Sequence, residues 1–138
     1  MNDAPRPLTV EDLITINQRA VLIGGGMSGV RDRARLEYAV DRPFLIFNDQ
    51  PRYPTHYAKA AALMEIIIWD QAFFDGNKRT GQRAGAALLR ILSSRRLYVP
   101  TQEAIQVCLA VEHKDMDTAA LAAWLYMRSA YDNPTRPS

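Results

Sequence analysis

Apolar residues recur along most of this chain at steps of three and four, the period of a helix with one face turned to a core. Val10, Leu13, Ile14 and Val21 form the first such stripe, with Asn17 set into it. Thr9 is a natural N-cap, Glu11 and Asp12 put negative charge in the first turn, and the glycines at 24 to 26 end the helix. The segment from Arg31 to Val40 predicts a short helix stopped before Pro43, and Phe44 to Pro54 reads as a loop or a short hairpin. Thr55 caps a helix that runs to about Trp69 and is apolar almost all round, which places it in the middle of the fold. Phe73 to Gly76 is a turn. A second long helix follows from Asn77 to about Ser94, with Ala84, Ala87, Leu88, Ile91 and Leu92 as its stripe. Pro100-Thr101 opens another helix to about Val111, and Asp117 caps a last one bearing Leu121, Trp124, Leu125 and Arg128.

The expected architecture is therefore all-α: one domain over residues 8–131, of about six helices and without a convincing strand pair. A flexible N-terminus (1–7) and a frayed tail (132–138) flank it. A length of 138 residues with 48% hydrophobic content suits one core. Seventeen basic and fifteen acidic residues leave a net charge of +2, which argues against a dedicated nucleic-acid binder. Arg90, Arg95 and Arg96 stand near a helix C-terminus, where the dipole already accounts for cations. Cys108 is the single cysteine and sits between Val107 and Leu109, the setting of a buried structural thiol. The N-terminal residues lack the apolar run of a signal peptide. The stretch from Ala60 to Trp69 is too short to span a bilayer and contains Glu65. No membrane role and a cytoplasmic location are the expectation.

Two stretches invite a chemical reading. Gly24 to Gly29 matches GxGxxG, but a dinucleotide site needs a strand before it, and here a helix precedes; a helix cap and turn is the better reading. The run Gln71-Ala72-Phe73-Phe74-Asp75-Gly76-Asn77-Lys78-Arg79-Thr80 lies between the two central buried helices. Gly76 lets backbone approach a ligand closely, and the amides of the next helix begin near Asn77 with their positive dipole end. Lys78 and Arg79 add two cations where cations are normally disfavoured, a conflict that a bound anion would relieve. Asp75 offers an oxygen ligand for Mg²⁺. The plain alternative is a turn with two solvated cations.

The same run resembles the signature of the Fic/Doc family: histidine, any residue, phenylalanine, any residue, an acid, a small residue, asparagine, lysine and arginine. Phe73, Asp75, Gly76, Asn77, Lys78, Arg79 and Thr80 fit it, and Lys78 with Arg79-Thr80 is the Doc-like form. Leu8 to Leu13, Arg31-Asp32, Leu36 to Ala39, Tyr53 to Thr55, Lys59 to Leu63 and Leu121 to Leu125 extend the resemblance over about residues 8 to 130. It implies a toxin of a toxin–antitoxin pair that transfers phosphate from ATP, with Mg²⁺, to a hydroxyl of translation elongation factor Tu. It also implies neutralisation by an antitoxin with a disordered C-terminal segment. By the same resemblance Phe73 packs the loop onto the core and Asp75 holds the metal. Gly76, Asn77, Lys78, Arg79 and Thr80 bind nucleotide phosphates, and Phe44 to Pro54 is a flap beside which the target docks. The branch that transfers AMP has glycine at the Lys78 position and a second arginine where Gln82 stands.

Three adjacent positions depart from the pattern, Asp70 and Ala72 standing where asparagine and proline are usual beside the motif histidine, and three changes together look more like drift than a single substitution. Gln71 stands where the family has the histidine that takes the proton from the target hydroxyl, and glutamine cannot accept a proton near neutral pH. His56 should lie about 20 Å away at the far end of its helix, His113 is in a loop, and Asp70 is nearest in sequence. Arg79, Arg83 and Arg90 share a helix face, either as a phosphate-binding stripe or as a solvated face with Arg79 alone at the loop. Two functions follow: a slow Doc-like phosphotransferase, or an inactive descendant that binds a nucleotide or a protein.

Overall fold

The structure, a computed structural model, describes residues 5–132. Six helices carry the fold: α1 (Val10–Gly24), α2 (Arg33–Asp41), α3 (His56–Asp70), α4 (Asn77–Ser93), α5 (Thr101–Glu112) and α6 (Thr118–Met127). A 3-10 turn, Arg42–Phe44, follows α2. Local chemistry sets most of the starts. Thr9 and Asp12 form a reciprocal capping box, and Asp32, Thr55 and Asp117 each accept an amide of the first turn of their helix. α2 begins at Arg33 and not at Arg31, because the amides of Arg31 and Asp32 are both given to the carbonyl of Ala72.

α3 is the axis of the fold, with every residue from Ala60 to Ile68 buried. It lies between two apolar clusters. Leu13, Leu36, Leu63, Phe73 and Leu88 form one, and Met64, Ile68, Leu89, Val111, Leu121 and Leu125 the other. α4 lies against α3 at unusually short range. A Cβ on Gly81 would come within 2.8 Å of the Ile68 side chain and 3.0 Å of the Met64 carbonyl, and one on Gly85 within 3.1 Å of Met64 Cβ. Ala60, Met64 and Ile68, four apart, make the ridge that these two glycines receive.

Two small antiparallel ribbons complete the chain. β1 (Ile46–Phe47) and β2 (Gln50–Pro51) realise the hairpin reading of the segment after the 3-10 turn. Asn48 and Asp49 between them both have positive φ, as tight hairpin turns require. The second ribbon was not foreseen: β3 (Arg95–Leu97) pairs with β4 (Ser129–Tyr131). It also corrects the reading of the basic residues there. The Arg95 guanidinium sits 4.9 to 5.5 Å from the ring centres of Tyr57, Tyr126 and Tyr131. Arg90 and Arg96 both pair with Asp132. Asp132, expected to begin a loose tail, also donates its amide to Ser94. At the other end, Arg6 pairs with Asp41 at 3.0 Å. The rest of the expected flexible ends, 1–4 and 133–138, lies outside the described residues.

Among the described residues the core holds one charged pair. Glu65 is fully buried in α3, and neither of its oxygens meets a hydrogen-bond partner among the described residues. Arg42 stands 3.8 Å from it, donates to the Ala62 carbonyl, and lies 5.4 Å from the ring centres of both Tyr53 and Trp69. Burial raises the Glu65 pKa, with Asp117 adding to the rise, and the Thr118 hydroxyl and the Arg42 charge only partly oppose it. The folded chain therefore binds more protons than the unfolded chain between the usual carboxylate range and the raised value. Stability falls as pH rises through that window, and Glu65→Gln should flatten this part of a denaturation profile. Arg42→Met should cost about 3 kcal/mol in urea unfolding at neutral pH, because it leaves a buried carboxyl without a cation. Adding Glu65→Leu should restore most of the loss. A double variant as unstable as the single one would show that Arg42 acts through its ring contacts instead.

Candidate functional site

The loop between α3 and α4 is held like a strand. Gln71 ends α3 in the left-handed conformation, with φ 50° and ψ 51°. The Ala72 carbonyl then accepts the amides of Arg31 and Asp32 at 2.7 and 3.0 Å, and the Phe74 amide donates to Gly29 at 3.1 Å. Phe73, 1% exposed, bridges to Val30 and plugs the loop into the core. The Asn77 side chain clamps the same residue: its Oδ1 accepts the Phe73 amide and its Nδ2 donates to the Phe73 carbonyl. From the other side, the buried Asn17 amide donates to the Asp75 carbonyl at 2.8 Å and to the Thr80 hydroxyl at 3.1 Å. Gly76 turns the chain into α4 with φ 75°, and a Cβ there would press on Val21 at 3.1 Å.

α4 then opens without any side-chain cap and without an acidic residue in its first turn. It opens into a cavity of about 530 Å³. The glycines at 24 to 26 form one wall, Asp75 to Arg79 with Gln82 and Arg83 another, and Ala104, Ile105, Cys108 and Leu109 of α5 the apolar floor. Uncapped helix amides with cations beside them attract anions. Lys78 reaches 3.0 Å from Glu112, while the Arg79 guanidinium donates to the Ala20 carbonyl at the end of α1. Gly24 makes room for that guanidinium, since a Cβ there would meet its Nη1 at 1.3 Å. Asp75 accepts the Met27 amide at 2.7 Å and so pins the glycine-rich turn over the loop. Burial pushes the Cys108 thiol up to about 11, despite the opposing pull of Lys78, so it is a neutral part of the floor.

Of the residues singled out in the sequence, Asp75, Gly76, Asn77, Lys78 and Arg79 gather at the cavity. Gln71 and Thr80 do not line it. Gln71 is exposed and its carbonyl accepts from Arg31, whereas Thr80 is buried beneath the loop on Asn17. The arginine face divides: Arg79 and Arg83 line the cavity and Arg90 is diverted to Asp132. Asp70 is paired with Arg35 at 3.2 Å. His56 opens α3 at the end opposite Gln71, and His113 follows α5 and stands 3.8 Å from Glu112. The glycine-rich turn ends a helix, as expected, with the Gly25 amide donating to Val21.

Asn17, Arg31 and the α5 floor were missed. Asn17 alone had a visible signal, a polar residue on an apolar stripe. No group of three metal-ligating side chains forms among the described residues. No helix among the described residues is long and apolar enough to cross a membrane.

Residues 7–89 match the model of the Fic/DOC family, more than half of the chain. The match takes in α1 to α3, the whole loop and most of α4; α5 lies beyond it. The chain is also 38% identical over 81 residues to Toxin Doc of Mycolicibacterium smegmatis, which covers 59% of this chain and 60% of that protein.

The buried amide of Asn17 predicts its own test. Asn17→Ala leaves the Asp75 carbonyl and the Thr80 hydroxyl without their donor, at a cost of about 1–3 kcal/mol. Thermal unfolding should register the loss, and hydrogen exchange should show the amides around Asp75 to Thr80 opening faster. Unchanged exchange there would mean that the Asn77 clamp suffices alone.

Proposed function

The chain belongs to the Fic/DOC family, and from that premise we propose that it is a Doc-like toxin of a toxin–antitoxin system. Its activity is transfer of phosphate from ATP to a protein hydroxyl, slowed by the loss of the general base at Gln71. The observation that carries this reading is the uncapped first turn of α4, opening with Lys78 and Arg79 into the cavity. A polyphosphate satisfies those amides and offsets those cations. Asp75 is placed to hold Mg²⁺ against the same phosphates, and the apolar α5 floor suits the rest of a nucleotide. Lys78 in place of glycine and Gln82 in place of arginine favour phosphate transfer over AMP transfer.

ATP with Mg²⁺ supplies the phosphoryl group; the chain's residues bind and orient. Amides of the α4 first turn, Lys78 and Arg79 would hold the phosphates, and the acceptor hydroxyl would approach from the side of Gln71. The exposed Ile46 and Phe47 of the β1–β2 hairpin offer an edge for the acceptor's chain. Because the transition state of phosphoryl transfer is loose, positioning and charge carry most of the catalysis. Loss of a general base costs about 10²–10⁴-fold and leaves a slow enzyme. The acceptor is elongation factor Tu, and the partner is an antitoxin whose disordered C-terminal segment folds on the toxin, both in the cytoplasm. Co-purification with the product of a neighbouring reading frame tests the partner.

Gln71 also favours a second reading, an inactive descendant that keeps the nucleotide site as a binding module. Asp70 is committed to Arg35 and neither histidine borders the cavity, so none of these three stands ready as a substitute base. Calorimetry and transfer assays separate the two. Lys78→Ala with Arg79→Ala should abolish Mg²⁺·ATP binding, and equal binding would put the nucleotide elsewhere. Gln71→His places an imidazole with a pKa near ~6.5 at the acceptor position. It should raise phosphate transfer to elongation factor Tu by about 10²-fold or more with ATP affinity unchanged. No transfer from either protein, with folding and ATP binding intact, would favour the binding module.

A further inference from the structure

The buried pair of Glu65 and Arg42 stands at the base of the β1–β2 hairpin, a segment that buries nothing of its own. Every residue from Ile46 to Arg52 is exposed. How the hairpin points is therefore set at its two feet, residues 43–45 where the chain enters and Tyr53 where it leaves. Arg42 immediately precedes the entry foot. Its guanidinium lies 5.4 Å from the ring centre of Tyr53, which is buried at the exit foot. The same guanidinium donates to the Ala62 carbonyl and stands 3.8 Å from Glu65, both on α3. One planar cation thus joins the entry foot, the exit foot and the middle of α3. Other contacts hold one side each: Arg6 lies over the Phe44 ring at the entry, and Lys59 donates to the Tyr53 carbonyl at the exit. The Arg52 amide, donating to the Leu45 carbonyl at 2.9 Å, ties the feet to each other and not to α3. Arg42 also lies 5.4 Å from the ring centre of Trp69, two residues before Gln71.

Resting on the reading that the hairpin offers an edge for the acceptor's chain, we propose that Arg42, seated on Glu65, is a positioning residue. It sets how the hairpin stands on α3, and so governs capture of the protein acceptor without touching acceptor or nucleotide. Replacing a buried ion pair by apolar residues of similar volume is often neutral in stability, so the pair's distinct contribution is direction. A guanidinium suits the task, because its edge donates to α3 while its faces meet the rings of Tyr53 and Trp69.

Arg42→Met with Glu65→Leu separates this role from stability, since it removes both charges and leaves an apolar pair. Arg42→Lys keeps the charge beside Glu65 and gives up the planar faces. In both proteins the Arg52 amide should exchange about tenfold faster, the scale of one or two desolvated cation–π contacts. Trypsin should cut sooner after Arg52, while exchange within α3 and calorimetric Mg²⁺·ATP affinity stay at the wild-type level. With Gln71→His added to every protein, the KM for elongation factor Tu should rise severalfold and kcat should hardly move. A hairpin as protected as in the wild type, in both variants, would overturn the proposal. Equal loosening of hairpin and α3 would overturn it too, since Arg42 would then serve stability alone. A loosened hairpin with unchanged KM would sever the hairpin's placement from acceptor capture and overturn that role. A loosened hairpin with no transfer from any protein would fail the acceptor reading and leave Arg42's hold on the hairpin established.

Discussion

The close approach of α3 and α4 is the constraint on which the rest depends. Gly81 and Gly85 let the ridge of Ala60, Met64 and Ile68 sink into α4 until backbone nearly meets side chain. Two glycines inside a helix cost about 1 kcal/mol each in propensity relative to alanine. That cost falls on the helix whose first turn faces the cavity, and burial along the axis of the fold offsets it. With the helices this close, six residues from Gln71 to Gly76 must reverse the chain. They do so through two left-handed residues, one at each end of the loop. The amide end of α4 is fixed in space by packing several turns away, not by the loop's own preferences.

The distribution of caps shows where stability has yielded to chemistry. α1, α2, α3 and α6 each begin on a side chain that accepts a first-turn amide. α4 and α5 begin without one, on Gly76 and Pro100. These two helices wall the cavity. In α4 the missing cap coincides with two cations in the first turn, so local preference and placement disagree twice at one spot. Such disagreement is expected where a site must stay open for something else to satisfy it. The buried Glu65–Arg42 pair is a conflict of another kind, far from the cavity and enclosed by rings.

Much of this was legible in the sequence because it is local. Thr9, Thr55 and Asp117 mark helix starts by their own hydrogen bonding, and the all-round apolar face of α3 betrays its central place. The gathering of Gly76, Lys78 and Arg79 at a helix start could likewise be read from their order in the chain. What stayed hidden depends on long-range partners. Three-residue strands such as Arg95–Leu97 carry too few positions to show alternation, and their partner lies beyond two further helices. Thr80 fits the motif, yet its hydroxyl is spent on Asn17, 63 residues away in the chain. The partners of Arg90, Lys78 and Arg79 all lie on other elements, so spacing alone could not tell a solvated arginine face from a phosphate stripe.

Gln71 shows how separable the parts of this site are. Its backbone is left-handed and its carbonyl is held by Arg31, so its structural work is done by main-chain atoms. Its side chain is exposed and outside the cavity lining. A change of side chain there disturbs none of the bonds that shape the loop, which run through Ala72, Phe73, Phe74, Asn77 and Asn17. The cavity wall at the start of α4 is built from other residues again, Lys78 and Arg79 among them. The side chain at this position can therefore change while the folded loop and the charged cavity keep their own, independent supports.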